Sequence, residues 1–353
     1  MLPIFKVAIS GTLLLVFLAG PAMAGEDAIP LQTGAMLIGL VGGLALFLYG
    51  MDHLASALKT LAGARLRRIL SNMTRNRIWA ALSGAVITGL VQSSSVTTVL
   101  VVGFVSAGLM PFAQAIAVIM GANMGSTLTA QIIAFRIEAI APLFIAIGFA
   151  MTMLADRKRF TLIGKAVLGL GLLFFGMGMM SQAMEPLRSF QPFISLMGEM
   201  SNPFTAILVA AAFTALVQSS AATMGIVIVL AGQGLVSLEG GIALIFGANI
   251  GTCVTALLGA IGKNRDGVRT AVGHILFNVI GVVIWLPFID LLAGVVRGVT
   301  MGGDIDNADI AREIANAHSI FNIANVILMI GFVPLMARMI EKLVPLEKDI
   351  EPR

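Results

Sequence analysis

Charged side chains are scarce in this chain: Asp, Glu, Lys and Arg make up 11% of its 353 residues, whereas soluble domains hold about 25%. Its single cysteine excludes a disulfide within the chain. Its three histidines form no metal-binding motif, and it has neither a Walker A phosphate-binding loop nor an HExxH zinc motif. We therefore predict no enzyme activity and no cofactor. The small net charge of +4 gives no reason to expect nucleic acid as a partner.

Hydrophobic residues dominate instead. They make up 58% of the chain, and the mean hydropathy is +0.99. Apolar runs at 33–51, 165–184 and 320–336 approach the ~20 residues that a helix needs to cross a bilayer. We predict an all-α polytopic membrane protein that lies in the lipid bilayer of the plasma membrane, in bacteria the inner membrane. The sequence leaves open whether it forms a homo-oligomer.

The first residues have the features of a secretory signal peptide. Lys6 precedes a short apolar segment, and the letters PAMA that follow end at Ala24 in an A-x-A-type cleavage site. We predict a signal peptide over residues 1–24, and the alternative is an uncleaved first membrane span. In both cases the segment just before residue 31 ends outside, so the membrane domain begins near that residue.

The distribution of Lys and Arg predicts which loops face the cytoplasm, because basic residues collect on that side of membrane proteins. The segments 59–77, 156–165 and 263–269 are rich in Lys and Arg, so we predict that they are cytoplasmic. The segments 185–203 and 296–313 are poorer in basic residues, so we predict that they are external. Basic residues near the end of the chain place the C-terminus inside.

This pattern leaves two polar segments that cannot cross the membrane completely. They are TGLVQSSSVTT at 88–98 and TALVQSSAATM at 214–224. We expect each to lie at the tip of a re-entrant hairpin, entering from inside in the first case and from outside in the second, since broken backbone at such depth needs protein or a wet cavity around it. The full crossings are predicted near residues 33–58, 112–134, 139–155, 163–184, 240–261, 271–291 and 314–338.

The two polar segments belong to an internal repeat. A shift of 126 residues places 88–130 on 214–256 with 19 identities in 43 positions, and GANMGSTLTA at 121–130 falls on GANIGTCVTA. The repeating unit is span, re-entrant hairpin, span, span. Three crossings are an odd number, so the second copy is inverted, an arrangement typical of secondary transporters. We predict inverted repeats at 31–160 and 161–291. An external loop, a last transmembrane helix and a cytoplasmic tail follow over residues 292–353.

The polar groups at the hairpin tips suit an anion and a small cation. Helix N-termini and hydroxyl groups donate hydrogen bonds to an oxyanion, and amide and hydroxyl oxygens can ligate Na+. Because no Lys or Arg lies in the middle of a predicted span, the charge of a carried anion would have to be offset by co-bound cations. The alternative is that these side chains only hold helices together, and the asparagines could equally mark closely packed helix starts. The candidate anion ligands are Ser93, Ser94, Ser95, Ser219 and Ser220, and the candidate Na+ ligands are Gln92, Gln218, Thr97, Thr223, Asn123 and Asn249.

The motifs LVQSSSVTT with GANMGST, and LVQSSAATM with GANIGTC, resemble the duplicated QSSS motifs of the type II sodium-dependent phosphate cotransporter family. The resemblance covers about residues 35–335. It implies sodium-coupled transport of inorganic phosphate, with the QSS residues of both hairpins lining the phosphate and Na+ sites and Na+ as the coupling ion. The second motif departs from the family pattern because Ala221 replaces the third serine, which makes Ser95 the less secure ligand.

Several alternatives remain at this point. The protein could export phosphate or carry another small oxyanion, and rivals of another class are an anion channel and a non-transporting membrane sensor.

A shorter duplication, AVGHILFN at 271–278 and ANAHSIFN at 315–322, places His274 and His318 each four residues before an asparagine. These pairs either join the last helices or line a path for ions, and the sequence leaves their role open.

Overall fold

Helices dominate the chain, as predicted. The computed structural model describes residues 33–72, 76–135, 137–300 and 308–345, and this part of the chain contains helices and short turns but no strand. The predicted signal peptide at 1–24 and the end of the predicted cytoplasmic tail fall outside the described residues.

Six helical segments of the described residues are long and apolar enough to cross a membrane, which confirms the prediction of an all-α polytopic membrane protein. Short 3-10 turns join several of the helices. In chain order, the α-helices of the described residues are α1 (Thr33–Asn72), α2 (Arg77–Val91), α3 (Ser94–Ser106), α4 (Phe112–Ile133), α5 (Ala141–Leu154), α6 (Lys158–Met184), α7 (Gln191–Gly198), α8 (Pro203–Val217), α9 (Ser220–Gly232), α10 (Leu238–Gly251), α11 (Cys253–Ala260), α12 (Arg265–Trp285), α13 (Ile289–Thr300), α14 (Ala308–Met329) and α15 (Val333–Leu343).

Two helices differ in length from the predicted spans. Helix α1 continues for 40 residues to Asn72, so most of the basic segment predicted as a loop at 59–77 is helical. Lys and Arg are good helix formers, so charge alone does not end a helix. Helix α5 has 14 residues and is about 21 Å long, less than the ~30 Å of bilayer hydrocarbon. The crossing predicted at 139–155 is therefore the shortest of the set, and it stays a prediction.

Each glutamine–serine cluster interrupts a pair of short helices, as predicted. We call α2 and α3 the first hairpin, and α8 and α9 the second hairpin. The four helices have 15, 13, 15 and 13 residues in that order. None exceeds about 23 Å in length, so none can cross a bilayer alone. Just before the second hairpin, the segment Gln191–Ser201 meets α8 at an angle of 105°.

The chain forms two compact units that do not coincide with the two sequence repeats. The first unit contains the described residues up to Leu61, together with Gln131–Gly251 and Ile289–Asn316. The second unit contains Ala62–Ala130, Thr252–Phe288 and the described residues from Ala317 onward. The first hairpin therefore belongs to the second unit, with α11 and α12 of the other repeat, and the second hairpin belongs to the first unit.

Glycines bring α1 and α6 into backbone contact within the first unit. A Cβ atom on Gly50 would lie 2.5 Å from the carbonyl oxygen of Gly169, and the reciprocal distance is 2.6 Å. Gly43 and Gly176 face each other in the same way. The lower-numbered glycine of α1 meets the higher-numbered glycine of α6, so the two helices run antiparallel. Small residues at such a crossing let helices approach closely in a membrane.

Each hairpin packs its first arm against the span that follows it, in the same way in both units. In the second unit, a Cβ atom on Gly121 of α4 would lie 1.8 Å from the carbonyl oxygen of Ala81. In the first unit, the equivalent Gly247 of α10 lies against Ile207, where the distance would be 2.3 Å. Ala81 and Ile207 are also 126 residues apart. Residues that are equivalent in the sequence repeat therefore make equivalent helix–helix contacts.

A hydrophobic core surrounds the first hairpin in the second unit. It combines buried side chains from α2, α3, α4, α12, α14 and α15. Large members of this core are Ile87, Ile116, Met120, Phe277 and Ile340. The core fixes the hairpin arms, so the polar tip is held by well-packed helices.

Hydrogen bonds to other segments of the second unit hold both ends of the first hairpin. Arg77, at the start of α2, donates a hydrogen bond to the carbonyl of Gly331 at 3.0 Å, just before α15. Ser106, at the end of α3, accepts a bond through its carbonyl from the amide of Asn264 at 2.9 Å, just before α12. Arg269 of α12 in turn donates to the carbonyl of Val344 after α15 at 2.8 Å. The start of the hairpin is thus fixed beside the beginning of α15, and its end beside the beginning of α12, which in turn is bonded to the end of α15.

The second hairpin returns to its starting face in the first unit as well. Ser201 before α8 and Val236 after α9 line one and the same cavity. Arg188 donates to the carbonyl of Gln233, the residue that ends α9, at 2.8 Å. The salt bridge between Arg297 and Glu239, 2.7 Å long, lies at the start of the next helix, α10. Residues of both segments predicted to be external therefore meet residues that follow this hairpin.

Candidate functional site

The two hairpin tips share an unusual backbone geometry. Gln92 and Gln218 end the first arm of their hairpins in the left-handed conformation, with φ of 56° and 57°. They are the only non-glycine residues with positive φ in the described parts of the chain. A non-glycine side chain in this region costs of order 1 kcal/mol or more and is concentrated at functional sites. Both repeats therefore interrupt the hairpin helix at the same glutamine with the same backbone conformation.

A serine starts the second arm at each tip. Ser93 and Ser219 are extended, and the hydroxyl of each accepts a hydrogen bond from a backbone N–H three residues later, at 3.3 and 3.2 Å. Serine is among the best N-cap residues because its side chain satisfies one N–H group of the first helical turn. The remaining N–H groups of that turn point toward the tip, where the helix dipole favours an anion.

Paired threonines tie the two arms together beneath each tip. The hydroxyl of Thr88 donates to that of Thr97 at 2.9 Å, and the hydroxyls of Thr214 and Thr223 are 2.7 Å apart. All four side chains are buried. Thr97 and Thr223 also donate to the carbonyl of the capping serine, at 3.1 and 3.3 Å. The hydroxyls of the two predicted Na+ ligands are thus engaged within their own hairpins.

The serines after the caps differ in their surroundings. Ser94 is buried, 6% exposed, and among the described residues its hydroxyl has no hydrogen-bond partner. The hydroxyl of Ser95 lies 3.1 Å from that of Thr252, which belongs to the other sequence repeat. Ser220, the equivalent of Ser94, is half-buried at the tip of the second hairpin. Ser94 and Ser220 therefore have hydroxyls available to a ligand.

The two predicted asparagines are buried on the spans that follow the hairpins. Asn123 of α4 donates to the side-chain oxygen of Asn278 at 2.6 Å. This bond links α4 to α12 within the second unit, and Asn278 itself donates to the carbonyl of His274 on its own helix at 3.0 Å. Asn249 of α10 is 4% exposed and lies in the first unit. Each unit thus contains one glutamine–serine cluster and the asparagine of the next span.

The histidines of the shorter duplication lie inside the second unit. His274 and His318 are buried, at 0% and 5% exposure. In each case the asparagine four residues later donates to the histidine carbonyl, at 3.0 and 2.9 Å. The repeated His–Asn spacing therefore forms bonds along single helices. Asn278 also bonds Asn123 of α4 and Cys253 of α11, and the carbonyl of His274 accepts from the Cys253 thiol at 3.6 Å, which supports the interpretation that these residues join helices.

Neither tip has a charged neighbour in sequence. No Asp, Glu, Lys or Arg occurs between Arg77 and Arg136, nor between Glu199 and Glu239. Each tip therefore presents hydroxyls, amides and helix ends on a stretch of chain without charged side chains. Such a setting can orient an oxyanion, but it cannot neutralise its charge, because an unpaired ion in a low-dielectric medium is costly.

Several residues at the tips were not predicted from the sequence. In the sequence, Thr88 and Thr214 are only matching positions of the repeat. Thr129 and Thr252 are only parts of the motifs GSTLTA and GTCVTA. Their pairing with the tips could not be inferred because it depends on packing between helices. Thr129 donates to the side-chain oxygen of Gln92 at 3.0 Å, so it belongs to the first tip.

Comparison with known proteins shows that both hairpin motifs lie in a region that matches a protein family. The family model described as Na+/Pi-cotransporter matches residues 46–182 and 189–293, more than half of the chain and both hairpins. The Bacillus subtilis protein YqeW, named only as uncharacterized, is 32% identical over 263 residues, which are 74% of this chain and 85% of YqeW. No solved structure matches the chain.

Two further relatives carry functional names. The Escherichia coli protein named "Putative inorganic phosphate export protein YjbB" is 32% identical over 261 residues, which are 73% of this chain and 48% of YjbB. The chain thus spans about half the length of that relative. The human protein named "Sodium-dependent phosphate transport protein 2B" is 39% identical over 100 residues, 28% of this chain and 14% of its own length.

Proposed function

This chain belongs to the Na+/Pi-cotransporter family, and we propose that it carries inorganic phosphate across the plasma membrane together with Na+. The observation that supports this most directly is the pair of matching hairpin tips. Each has a glutamine in the left-handed conformation, followed at once by a capping serine and a helix N-terminus. Broken helices with exposed ends are the usual means by which secondary transporters bind ions within the membrane.

Phosphate binds, in this proposal, to the serines and to the backbone N–H groups of the second arms. Ser93 and Ser219 accept through the lone pairs of their hydroxyls, so the O–H of each can still donate to a phosphate oxygen. Ser94 and Ser220 add hydroxyls that no described residue engages. Ser95 contributes least, since its hydroxyl already pairs with Thr252.

Sodium coupling follows from the charge of the substrate. Phosphate is an anion of charge −1 to −2 near neutral pH, and the sequence around both tips contains no cationic side chain. A cation must therefore enter with it to avoid the cost of an unpaired buried charge. Amide and hydroxyl oxygens at the tips, and those of Asn123 and Asn249, are suitable ligands for a hard cation such as Na+.

Radiolabelled phosphate flux into proteoliposomes tests the proposal. Gradients of Na+, K+ or H+ are imposed in turn on the purified protein. We expect saturable uptake that depends steeply on Na+ and is inhibited by arsenate, a close mimic of phosphate. Full-rate uptake driven by a proton gradient without Na+ would contradict the coupling. Non-saturable flux would instead favour a channel, and Na+-dependent phosphate binding without any flux would favour a sensor.

The name of YjbB favours a second candidate, phosphate export. The direction of a coupled transporter follows the ion gradients, so one structure can serve both directions. Proteoliposomes loaded with phosphate distinguish the two, because an exporter releases phosphate at a substantial rate under the gradients found in a growing cell. Release that occurs only when the Na+ gradient is reversed would leave import as the function.

A further inference from the structure

Two arginines from distant parts of the chain meet at the beginning of α15 in the second unit. Arg77, at the start of α2, donates to the carbonyls of Ile330 and Gly331 at 3.4 and 3.0 Å. Arg338 lies on α15, and its Nε atom donates to the carbonyl of Pro334 at 3.4 Å. Residues three apart are neighbours on a helix surface, so the carbonyls of Gly331 and Pro334 hold the two guanidinium groups on one side of this segment.

A third cation continues this row. Lys342 follows Arg338 by four residues, so it lies one turn further along the same face of α15. Arg77, Arg338 and Lys342 are all exposed, and none of them forms an ion pair with a residue that the structure describes. We call these three residues the basic cluster. Because like charges repel, such a cluster favours an anion as its neighbour.

Both arginines keep donors for a ligand. Arg77 bonds the two carbonyls through its Nη1 atom only, and Arg338 bonds its carbonyl through Nε. A guanidinium group has five N–H donors, so most donors of each arginine remain available. Phosphate oxygens accept such bonds, often two at a time from one arginine. The backbone carbonyls therefore orient the two side chains and leave them able to bind phosphate.

An apolar stripe runs beside the basic cluster on α15. Its members recur every three or four residues, so they share one side of the helix, and they are 44% to 63% exposed. They are Phe332, Leu335, Met339 and Leu343. Met336 and Ile340 of the same helix are buried in the hydrophobic core of the second unit. Helix α15 thus has more apolar surface than the described part of the protein covers.

The start of α2 exposes apolar side chains next to Arg77 as well. Ile78, Trp79 and Leu82 are 64%, 44% and 42% exposed. Tryptophan is enriched at membrane–water interfaces, where its ring lies at the level of the lipid headgroups. The sequence predicts that the basic segment ending at Arg77 and the end of the chain are both cytoplasmic. The basic cluster is therefore expected at the inner surface of the bilayer.

We propose that the basic cluster binds the phosphate group of an anionic phospholipid in the cytoplasmic leaflet, whose acyl chains lie against the apolar stripe and the start of α2. Anionic lipids of that leaflet attract basic residues beside a membrane. The bound lipid joins α15 to the first arm of the first hairpin, because Arg77 belongs to that arm. The inference concerns a lipid site, so its test does not require transport.

Tryptophan fluorescence measures which lipid lies against Trp79. The chain has two tryptophans, so Trp285→Phe leaves Trp79 as the single reporter, and all variants are made in this background. The purified protein is reconstituted into phosphatidylcholine bilayers that contain increasing amounts of brominated phosphatidylglycerol or brominated phosphatidylcholine, since bromine quenches fluorescence only at short range. We expect phosphatidylglycerol to bind about fivefold or more strongly than phosphatidylcholine. Equal binding of the two lipids would overturn the proposal.

Removal of charge tests the cluster itself. Arg77→Gln combined with Arg338→Gln should reduce the preference for phosphatidylglycerol to within about twofold. Lys158→Gln combined with Arg159→Gln is the matched control, because both residues are exposed and lie in the predicted cytoplasmic segment 156–165 of the first unit. A preference that survives in the first variant, or that the control loses equally, would overturn the proposal.

A second charge variant keeps the test decisive if Arg77→Gln does not fold. Arg338→Gln combined with Lys342→Gln changes only exposed side chains of α15 and should also reduce the preference to within about twofold. An unchanged preference in this variant would contradict the basic cluster as the lipid site.

Inorganic phosphate distinguishes a lipid site from a site for the free anion. At constant ionic strength, we expect millimolar phosphate or glycerol 3-phosphate to leave the preference for phosphatidylglycerol unchanged, because only a lipid adds acyl chains that cover the apolar stripe. Loss of the preference under these conditions would show that the free anion occupies the basic cluster, and it would overturn the proposal.

Discussion

Gly43 and Gly176 touch through their backbones: a Cβ atom on Gly43 would lie 2.7 Å from the carbonyl oxygen of Gly176, and the reciprocal distance is 2.4 Å. The 126-residue shift converts Gly43 into Gly169 and Gly176 into Gly50, and these two are also in contact. Two equivalent helices that exchange contacts in this way are antiparallel and related by a twofold axis. This relationship supports the proposal that the repeats are inverted in the membrane.

The glycine contact predicts a specific loss of stability. Gly50→Ala places a methyl group 2.5 Å from the carbonyl oxygen of Gly169, which a helix backbone cannot easily avoid. We expect it to lower the free energy of unfolding by about 1–3 kcal/mol, as overpacking does. Thermal unfolding of the purified protein in detergent measures this. Gly103→Ala is the control, since nothing lies within 4 Å of its Cβ position, and it should leave the midpoint unchanged or raise it slightly.

The inverted repeat predicts the side of the membrane from which each hairpin can be labelled. Ala107, just after the first hairpin, and Gln191, before the second, are both exposed. A cysteine at position 107 should react with a membrane-impermeant maleimide only from the cytoplasm, and one at position 191 only from outside. The native Cys253 is buried and should give little background. Labelling of both positions from the same side would contradict the inversion.

The serines of the first tip should differ in importance. Ser94→Ala removes a buried hydroxyl that no described residue engages, so we expect phosphate affinity to fall about tenfold. Ser95→Ala removes only the contact to Thr252, and the equivalent position in the second repeat is already Ala221. Its effect should stay below about threefold. Uptake at varied phosphate concentration measures both, and a larger loss in Ser95→Ala would show that the Thr252 contact holds the site.

Arg269 should stabilise the surface helix α15. Its side chain is 7% exposed, and it bonds Asp266 at 2.8 Å as well as the carbonyl of Val344. We expect Arg269→Gln to lower the free energy of unfolding by about 1.5–3 kcal/mol, the range for hydrogen bonds to charged groups. Hydrogen–deuterium exchange in α15 should then accelerate. Arg338→Gln is the control on the same helix, because Arg338 is exposed and bonds only its own helix, so exchange there should hardly change.

Much of this architecture was predictable because it depends on features that are local in the sequence. Apolar runs located the long helices, and polar clusters between short apolar segments located the two broken helices. The 126-residue repeat predicted that both tips would share one geometry, which Gln92 and Gln218 do. The main errors were of length: α1 extends through the basic segment to Asn72, because lysine and arginine favour helix as readily as loop.

Tertiary structure alone decided which segments meet. Ser95 and Thr252 are 157 residues apart, and Asn123 and Asn278 are 155 apart, yet both pairs are hydrogen-bonded within the second unit. No periodicity specifies such pairs, since they depend on how helices pack side by side. The same holds for the amides at the two tips. The repeats carry identical residue types there, so the sequence determined that two glutamine turns exist, and packing decided that Thr129 donates to the side chain of Gln92.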